Sequence, residues 1–303
     1  MDAYALLLAA SLNAGTVLAL AALGLLVNEK AGVVNLGAEG MMLCAALAGY
    51  AATVHTGSDW AGFAVGMVTG ALLAAMFGVL VIWLDTNQYA TGLALSLLGG
   101  GLSAFAGAGY VQASLPVRPG FAIPGLADLP FIGQALFRQH PLVYAAALLA
   151  LALAWFLRRT RAGLALRAVG DAPEAAHALG WPVRRIRLAA VVFGGTLCGL
   201  AGAYLSIIYT PLWAEGMVAG RGWIALALTA FASWRPARAL VGAYLFGGVT
   251  MLQLHLQGQG VQMPSQFLTM LPYLATIAVL ALISRVWIRA NIPASLGQPL
   301  RLP

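Results

Sequence analysis

The chain is a series of long apolar segments separated by short polar breaks, a pattern typical of packed membrane helices. The apolar segments cover about residues 3–27, 34–54, 61–84, 89–107, 141–157, 187–208, 222–233, 239–254 and 267–284. A hydrocarbon core about 30 Å thick needs about 20 apolar helical residues to span it. The pattern therefore predicts an all-α polytopic membrane protein with about eight or nine transmembrane or re-entrant helices.

Composition supports this fold class. Hydrophobic residues make up 61% of the chain and charged residues 8%, against about 25% charged residues in a soluble domain. We expect a single transmembrane domain over residues 1–303, with the first apolar segment retained because it is too long for a cleavable signal peptide. Cys44 and Cys198 fall in apolar segments and indicate packing, so neither a disulfide nor a metal site is predicted.

Basic residues predict the orientation in the membrane. Residues 158–187 hold seven of the sixteen basic residues, and the positive-inside bias places them in the cytoplasm, together with Arg235, Arg238 and the C-terminal tail. Because the formal charge of +7 gathers at segment ends, it indicates lipid surroundings and not nucleic acid. The loops at about 108–140, 209–221 and 255–266 are then outside. Nine crossings would place the N-terminus outside, and a re-entrant segment after Lys30 would place it inside.

A short helix is predicted within the basic loop. Asp171 can cap it, Pro173 suits its first turn, Glu174 lies three residues after the cap and Gly180 can end it. Such a helix has about eight residues and a length of about 12 Å, too short to be stable alone. It either docks on a partner or is a solvated loop helix without further role. The docking segment, residues 171–180, comprises Asp171, Ala172, Pro173, Glu174, Ala175, Ala176, His177, Ala178, Leu179 and Gly180.

Two further segments carry candidates for a solute pathway. In NEKAGVVNLGAEGMM, residues 28–42, Asn35 and Glu39 are four apart on one predicted helical face, with Met42 after them. A carboxylate near the membrane interior normally faces a partner or a water-filled cavity. Glu39 could therefore line a pathway or anchor the glycine-rich break in the helix.

The second such segment follows Glu215, where a glycine-rich stretch precedes an apolar run too short to cross the membrane. Half-length segments in both halves of a chain indicate a transport site at the bilayer midplane. Arg221 could be a counter-charge to Glu215 or Glu39, or an interfacial anchor, and the nearby aromatic residues could form an interfacial belt or stack on a planar ligand. The candidate pathway residues are Asn35, Glu39, Met42, Tyr209, Trp213, Trp223 and Gln253.

The sequence predicts neither an ATP-hydrolysing site nor another catalytic site in this chain. A phosphate-binding loop needs a Gly-Lys pair, and the only lysine, Lys30, follows Glu29. The four histidines, at positions 55, 140, 177 and 255, are scattered. Glycines spaced four apart, at positions 62, 66 and 70 and at 195 and 199, predict close helix packing within the chain or at a subunit interface.

Several of these segments together carry a family resemblance over almost the whole chain. They are NEKAGVVNLGAEGMM, NQYATGLALSLLGGGLSAF, RAGLALRAVGDAPEAAHALG, GGTLCGLAGAYLS, GRGWIALAL, LPYLATIAVL and PASLGQPL. The chain resembles the permease subunits of bacterial nucleoside and simple-sugar ATP-binding-cassette importers, above all the shorter permease of the nucleoside type. Ribose and branched-chain amino-acid permeases are more distant relatives.

The resemblance implies a location in the bacterial cytoplasmic (inner) membrane and three protein partners: a second permease, a cytoplasmic ATPase and an extracellular binding protein. ATP and magnesium would bind to the ATPase, and this chain would bind no cofactor. Coupling to the ATPase falls on residues 171–180, although the later part of the importers' EAA motif has no counterpart here. The cargo would be nucleosides or nucleobases, with simple sugars possible. The rival hypotheses are a branched-chain amino-acid permease, a scaffold subunit, and a proton-coupled transporter that uses Glu39 and Glu215.

Overall fold

The structure is a computed structural model that describes residues 2–111, 113–118, 120–127, 129–259 and 292–300, with the single positions 267, 270, 274, 277 and 278. Most of the predicted helix at about 267–284 and the basic residues Arg285, Arg289 and Arg301 lie outside the described residues.

The described part of the chain is mostly helical, and its helices follow the apolar segments. They are α1 (Asp2–Lys30), α2 (Ala38–Thr56), α3 (Asp59–Ile82), α4 (Gln88–Gly107), α5 (Ile132–Leu136), α6 (Pro141–Arg159), α7 (Arg161–Asp171), α8 (Pro173–Ala178), α9 (Val183–Tyr204), α10 (Arg221–Phe231) and α11 (Pro236–Gly258). Short strands β1 (Phe121–Ala122) and β2 (Arg138–Gln139) pair antiparallel in the long loop between α4 and α6.

Six of these helices are long and apolar enough to cross a membrane: α1, α3, α4, α6, α9 and α11. Helix α10, with 11 residues, is too short by length alone, as predicted. A mostly helical membrane fold is thus confirmed for the described residues, while the total of eight or nine segments and the coupling role of the basic loop stay predictions.

Helices α1 and α9 form the centre of the bundle. In their most apolar stretches, 61% of α1 and 78% of α9 are buried, against 33–39% in the other four long helices. Helix α3 packs on α9 through facing glycines, because a Cβ atom added to Gly70 would lie 2.7 Å from the Cα atom of Gly199. The spaced glycines therefore pack within this chain, which is the first of the two predicted uses.

The basic loop folds differently from the prediction. It contains two helices, α7 and α8, where one was expected, and Thr160 caps α7 by accepting a hydrogen bond from the Gly163 amide at 3.0 Å. Asp171 does not cap α8, since it is the last residue of α7, and Ala172 takes the capping position with no side-chain hydrogen bond. Pro173 does begin α8, and Gly180 follows it in a left-handed conformation with φ of 83°.

Helix α2 also begins later than predicted, at Ala38 and not near residue 34. Residues 31–37 form an irregular break between α1 and α2. Gly32 has a φ of 87°, which few residues other than glycine adopt, and it prevents α1 from continuing. Residues 31–37 are called the break below.

Candidate functional site

Glu39 of α2 holds the first turn of the short helix α10. Its carboxylate accepts hydrogen bonds from the backbone amides of Gly220 and Gly222, each at 2.7 Å. The first amides of a helix have no partner inside it, and the helix dipole favours a negative charge at this end. The side chain of Glu39 is 8% exposed. A buried carboxylate thus fixes the position of α10 relative to α2.

Glycines make this approach possible. Gly220 has a φ of 81°, and a Cβ atom on Gly222 would lie 2.6 Å from the backbone nitrogen of Glu39. A residue with a side chain at position 222 would therefore push the two helices apart.

A second buried carboxylate, Glu29 of α1, holds the other end of α10. It accepts hydrogen bonds from the Thr229 hydroxyl at 2.7 Å and from the indole nitrogen of Trp234 at 2.5 Å. Glu29 is 4% exposed. Helix α10 is consequently fastened at both ends by carboxylates from the helices that flank the break.

Glu29 was not among the candidate pathway residues predicted from the sequence. Its signal was present, because a carboxylate in the last turn of an apolar helix is costly unless it has partners. Its hydrogen-bond partners lie 200 and 205 residues away in the chain, so the sequence could not indicate them.

Asn35 orders the break itself. Its side-chain oxygen accepts the Gly37 amide at 3.0 Å, and its side-chain nitrogen lies 3.5 Å from the sulfur of Met41. Because α2 starts at Ala38, the predicted shared helical face of Asn35 and Glu39 is wrong, although both side chains are buried. Met42 is fully buried in α2, and Gln253 is 8% exposed in α11.

The three aromatic candidates do not form one cluster. Trp213 is 1% exposed and packs with Tyr50 in a small separate core, whereas Trp223 on α10 is 49% exposed. The guanidinium carbon of Arg221 lies 5.8 Å from the centre of the Tyr209 ring. Arg221 donates hydrogen bonds to the carbonyls of residues 217 and 218, each at 3.0 Å, and its positive charge also acts on the Glu39 carboxylate.

The docking segment is exposed along most of its length. Ala176 is its one buried side chain, 2% exposed and part of the main core, while Leu179 is 80% exposed. The other residues from Asp171 to Gly180 are half-buried or exposed. Helix α8 is therefore attached to the bundle by Ala176 and offers the rest of its surface to the surroundings.

The described residues contain no group of three or more His, Cys, Asp or Glu side chains placed to hold a metal ion. The hydrogen bonds described above place buried carboxylates at both ends of α10.

Comparison with known proteins identifies the family. Residues 7–281 match the family described as branched-chain amino acid transport system / permease component. The chain belongs to this permease family. It is the permease component of an ATP-binding-cassette importer, a multi-pass protein of the cytoplasmic membrane, as the resemblance predicted.

Named relatives cover nearly the whole permease. A putative glucose ABC transporter permease protein, TsgC13, of Haloferax volcanii is 46% identical, with 96% of each chain covered. The nucleoside ABC transporter permease protein NupC of Lactococcus lactis is 33% identical, with 88% of each covered. The guanosine ABC transporter permease protein NupQ of Bacillus subtilis is 32% identical, covering 93% of this chain and 92% of its own. No solved structure matches the permease significantly.

Proposed function

We propose that this permease forms half of a translocation pathway for nucleosides or nucleobases, together with a second permease subunit. A separate ATPase, which binds ATP and magnesium, drives transport from the cytoplasm, and an extracellular binding protein delivers the solute. The observation that carries the cargo assignment is the similarity, over 88% and 93% of this chain, to two permeases named for nucleoside and guanosine.

A simple sugar is the second candidate cargo. The relative with 46% identity is named a putative glucose permease, and a nucleoside itself contains a sugar ring. The two cargo classes share hydroxyl groups but differ in the planar base.

The pathway is proposed to run beside α10. A half-length helix in a membrane protein needs its terminal amides and carbonyls satisfied by the protein, since lipid offers no partners. Glu39 meets this need at the first turn of α10. Trp223 lies on α10 itself and is 49% exposed. Gln253 lies on the neighbouring helix α11. These polar and aromatic residues are too few to line a complete pathway. They are enough to line one side of a pathway that two permeases share.

The ATPase is proposed to bind the exposed face of the docking segment. Leu179 is 80% exposed and Ala175 is exposed, which suits an apolar plug in a groove of a soluble partner. Ala176 faces the core of the permease itself, so it serves to attach α8 and is unsuitable for testing the docking.

The docking is tested by the double variant Ala175→Glu with Leu179→Glu. We expect normal membrane insertion and thermal stability, because both positions are exposed, but at least a tenfold loss of solute-stimulated ATP hydrolysis and of uptake. Val117→Glu, at a side chain 82% exposed in the long loop after α4, is the matched control and should retain activity. Full coupling in the double variant would contradict the proposal.

The cargo is tested in proteoliposomes that contain both permeases, the ATPase and the binding protein. We expect ATP-dependent uptake of labelled guanosine that unlabelled adenosine reduces and glucose does not. Uptake of glucose without uptake of guanosine would establish the second candidate. Uptake without a second permease, or driven by a proton gradient without ATP, would refute the mechanism.

A further inference from the structure

The C-terminal segment 292–300 attaches to the end of α7, directly before the docking segment. Both the hydroxyl and the amide of Ser295 donate hydrogen bonds to the carbonyl oxygen of Gly170, at 2.6 and 3.0 Å. Gly170 lies in the last turn of α7, where carbonyls lack a partner within the helix. Ser295 is 6% exposed and so acts as a buried cap for α7. Residues 292–300 are called the C-terminal strap below.

The same serine is joined to the helix that follows the docking segment. Arg187, in the first two turns of α9, donates a hydrogen bond to the Ser295 hydroxyl at 2.8 Å and is 1% exposed. A buried guanidinium is costly without hydrogen-bond acceptors. The Ser295 hydroxyl supplies one acceptor, while the Arg187 Nε atom has no partner among the described residues. Ser295 therefore connects α7 and α9, the two helices that enclose α8 in the chain.

The strap also reaches the break between α1 and α2. The amide of Gly297 donates to the carbonyl of Gly32 at 3.3 Å. A Cβ atom on Gly32 would lie 2.5 Å from the Ser295 hydroxyl and 2.9 Å from a terminal nitrogen of Arg187. The backbone of the break is thus in direct contact with the Ser295 and Arg187 pair.

A buried glutamine strengthens this junction. The side chain of Gln88, 5% exposed at the start of α4, accepts the Val34 amide at 2.8 Å and donates to the Gln298 carbonyl at 3.1 Å. It bridges the break and the strap with one amide group. One residue beyond Val34, Asn35 begins the turn that leads to Glu39 and the capped end of α10.

From these contacts we infer that the C-terminal strap transmits movement of the docking segment to the break and so to Glu39 and α10, with Ser295 as the positioning residue. The inference rests on the proposed function, in which an ATPase moves the docking segment. The linkage consists of buried hydrogen bonds that end on backbone groups of α7, of the strap and of the break. Because these bonds have little freedom, a displacement of α7 relative to the bundle changes the position of the break. The end of α7 also packs directly on the break, because a Cβ atom on Gly170 would lie 3.4 Å from the carbonyl carbon of Ala31. The strap adds buried hydrogen bonds to this contact.

The test compares Ser295→Ala with Ser295→Thr, which keeps the hydroxyl, and with Gln298→Ala. Among the described residues, the exposed side chain of Gln298 bonds to the Ala294 carbonyl of the strap at 3.4 Å. Each permease is reconstituted with both partners, the ATPase and the binding protein, and guanosine uptake and ATP hydrolysis are measured together. We expect Ser295→Ala to bind the ATPase normally but to hydrolyse at least fivefold more ATP per guanosine transported. The threonine and Gln298→Ala variants should keep the wild-type ratio.

A second measurement follows the far end of the linkage. In a Trp223→Cys background, ATP should change the labelling rate of the cysteine, and Ser295→Ala should abolish that change.

Two outcomes would overturn the inference. One is that Ser295→Ala leaves both the ratio of ATP hydrolysed to guanosine transported and the ATP response of labelling unchanged. The other is that Ser295→Ala loses ATPase binding while the remaining complex keeps the normal ratio. If Ser295→Ala fails to insert, Gln88→Ala breaks the same linkage at its other end and is subject to the same criteria. A wild-type complex that shows neither coupling nor uptake would instead refute the proposed function.

Discussion

Replacing Glu39 should destabilise the permease through the loss of the cap on α10. The carboxylate accepts two backbone amides at 2.7 Å, and a hydrogen bond to a charged group contributes about 1.5–3 kcal/mol to the free energy of unfolding. In Glu39→Gln the side-chain oxygen can keep one amide, while the new NH2 group faces the other. We therefore expect a loss of about 2–3 kcal/mol for glutamine and of about 3–6 kcal/mol for alanine.

Thermal unfolding of the purified permease in lipid nanodiscs measures this loss, followed by the fluorescence of its 8 tryptophans. At about 2–4 °C per kcal/mol for a large chain, Glu39→Gln should lower Tm by roughly 4–12 °C, and Glu39→Ala should lower it further. Glu215→Gln is the matched control, because Glu215 is exposed a few residues before α10, and it removes the same charge. Equal Tm values for Glu39→Gln and Glu215→Gln would refute the capping argument.

Two further predictions concern the helices around this site. Gly70→Val should lower stability by about 1–3 kcal/mol, because a Cβ atom there would lie 2.7 Å from Gly199 Cα, and an unchanged Tm would contradict the described packing of α3 on α9. Trp234→Phe removes one of the donors to the buried Glu29 and should lower the free energy of unfolding by about 1–3 kcal/mol. The control Trp60→Phe, at a side chain 62% exposed, should leave Tm unchanged. Equal Tm shifts in the two variants would show that the hydrogen bond to Glu29 does not stabilise the fold.

Stability and transport need not change together in these variants. Loosening α10 can slow transport at temperatures where the permease remains folded, because the proposed pathway runs beside this helix. Measuring uptake well below Tm separates the two effects for Glu39→Gln.

Local features of the chain could be read directly from the sequence. The apolar segments predicted most of the long helices to within a few residues, because a membrane helix must present apolar side chains over about 20 residues. Pro173 and Gly180 marked the ends of α8 for equally local reasons, a fixed φ at one end and a left-handed φ of 83° at the other. The family resemblance likewise followed from short motifs in their order along the chain.

Pairings between distant residues were decided only by the tertiary structure. Glu39 was recognised as a costly carboxylate, but its partner Gly220 lies 181 residues away, and nothing periodic in the sequence connects them. The same holds for Ser295, which caps a helix 125 residues earlier. Apolar periodicity reports which surface of a helix avoids water, and it carries no information about which buried donor meets which buried acceptor. Those pairs are selected when the helices pack, since each buried polar group must then find its partner within the protein.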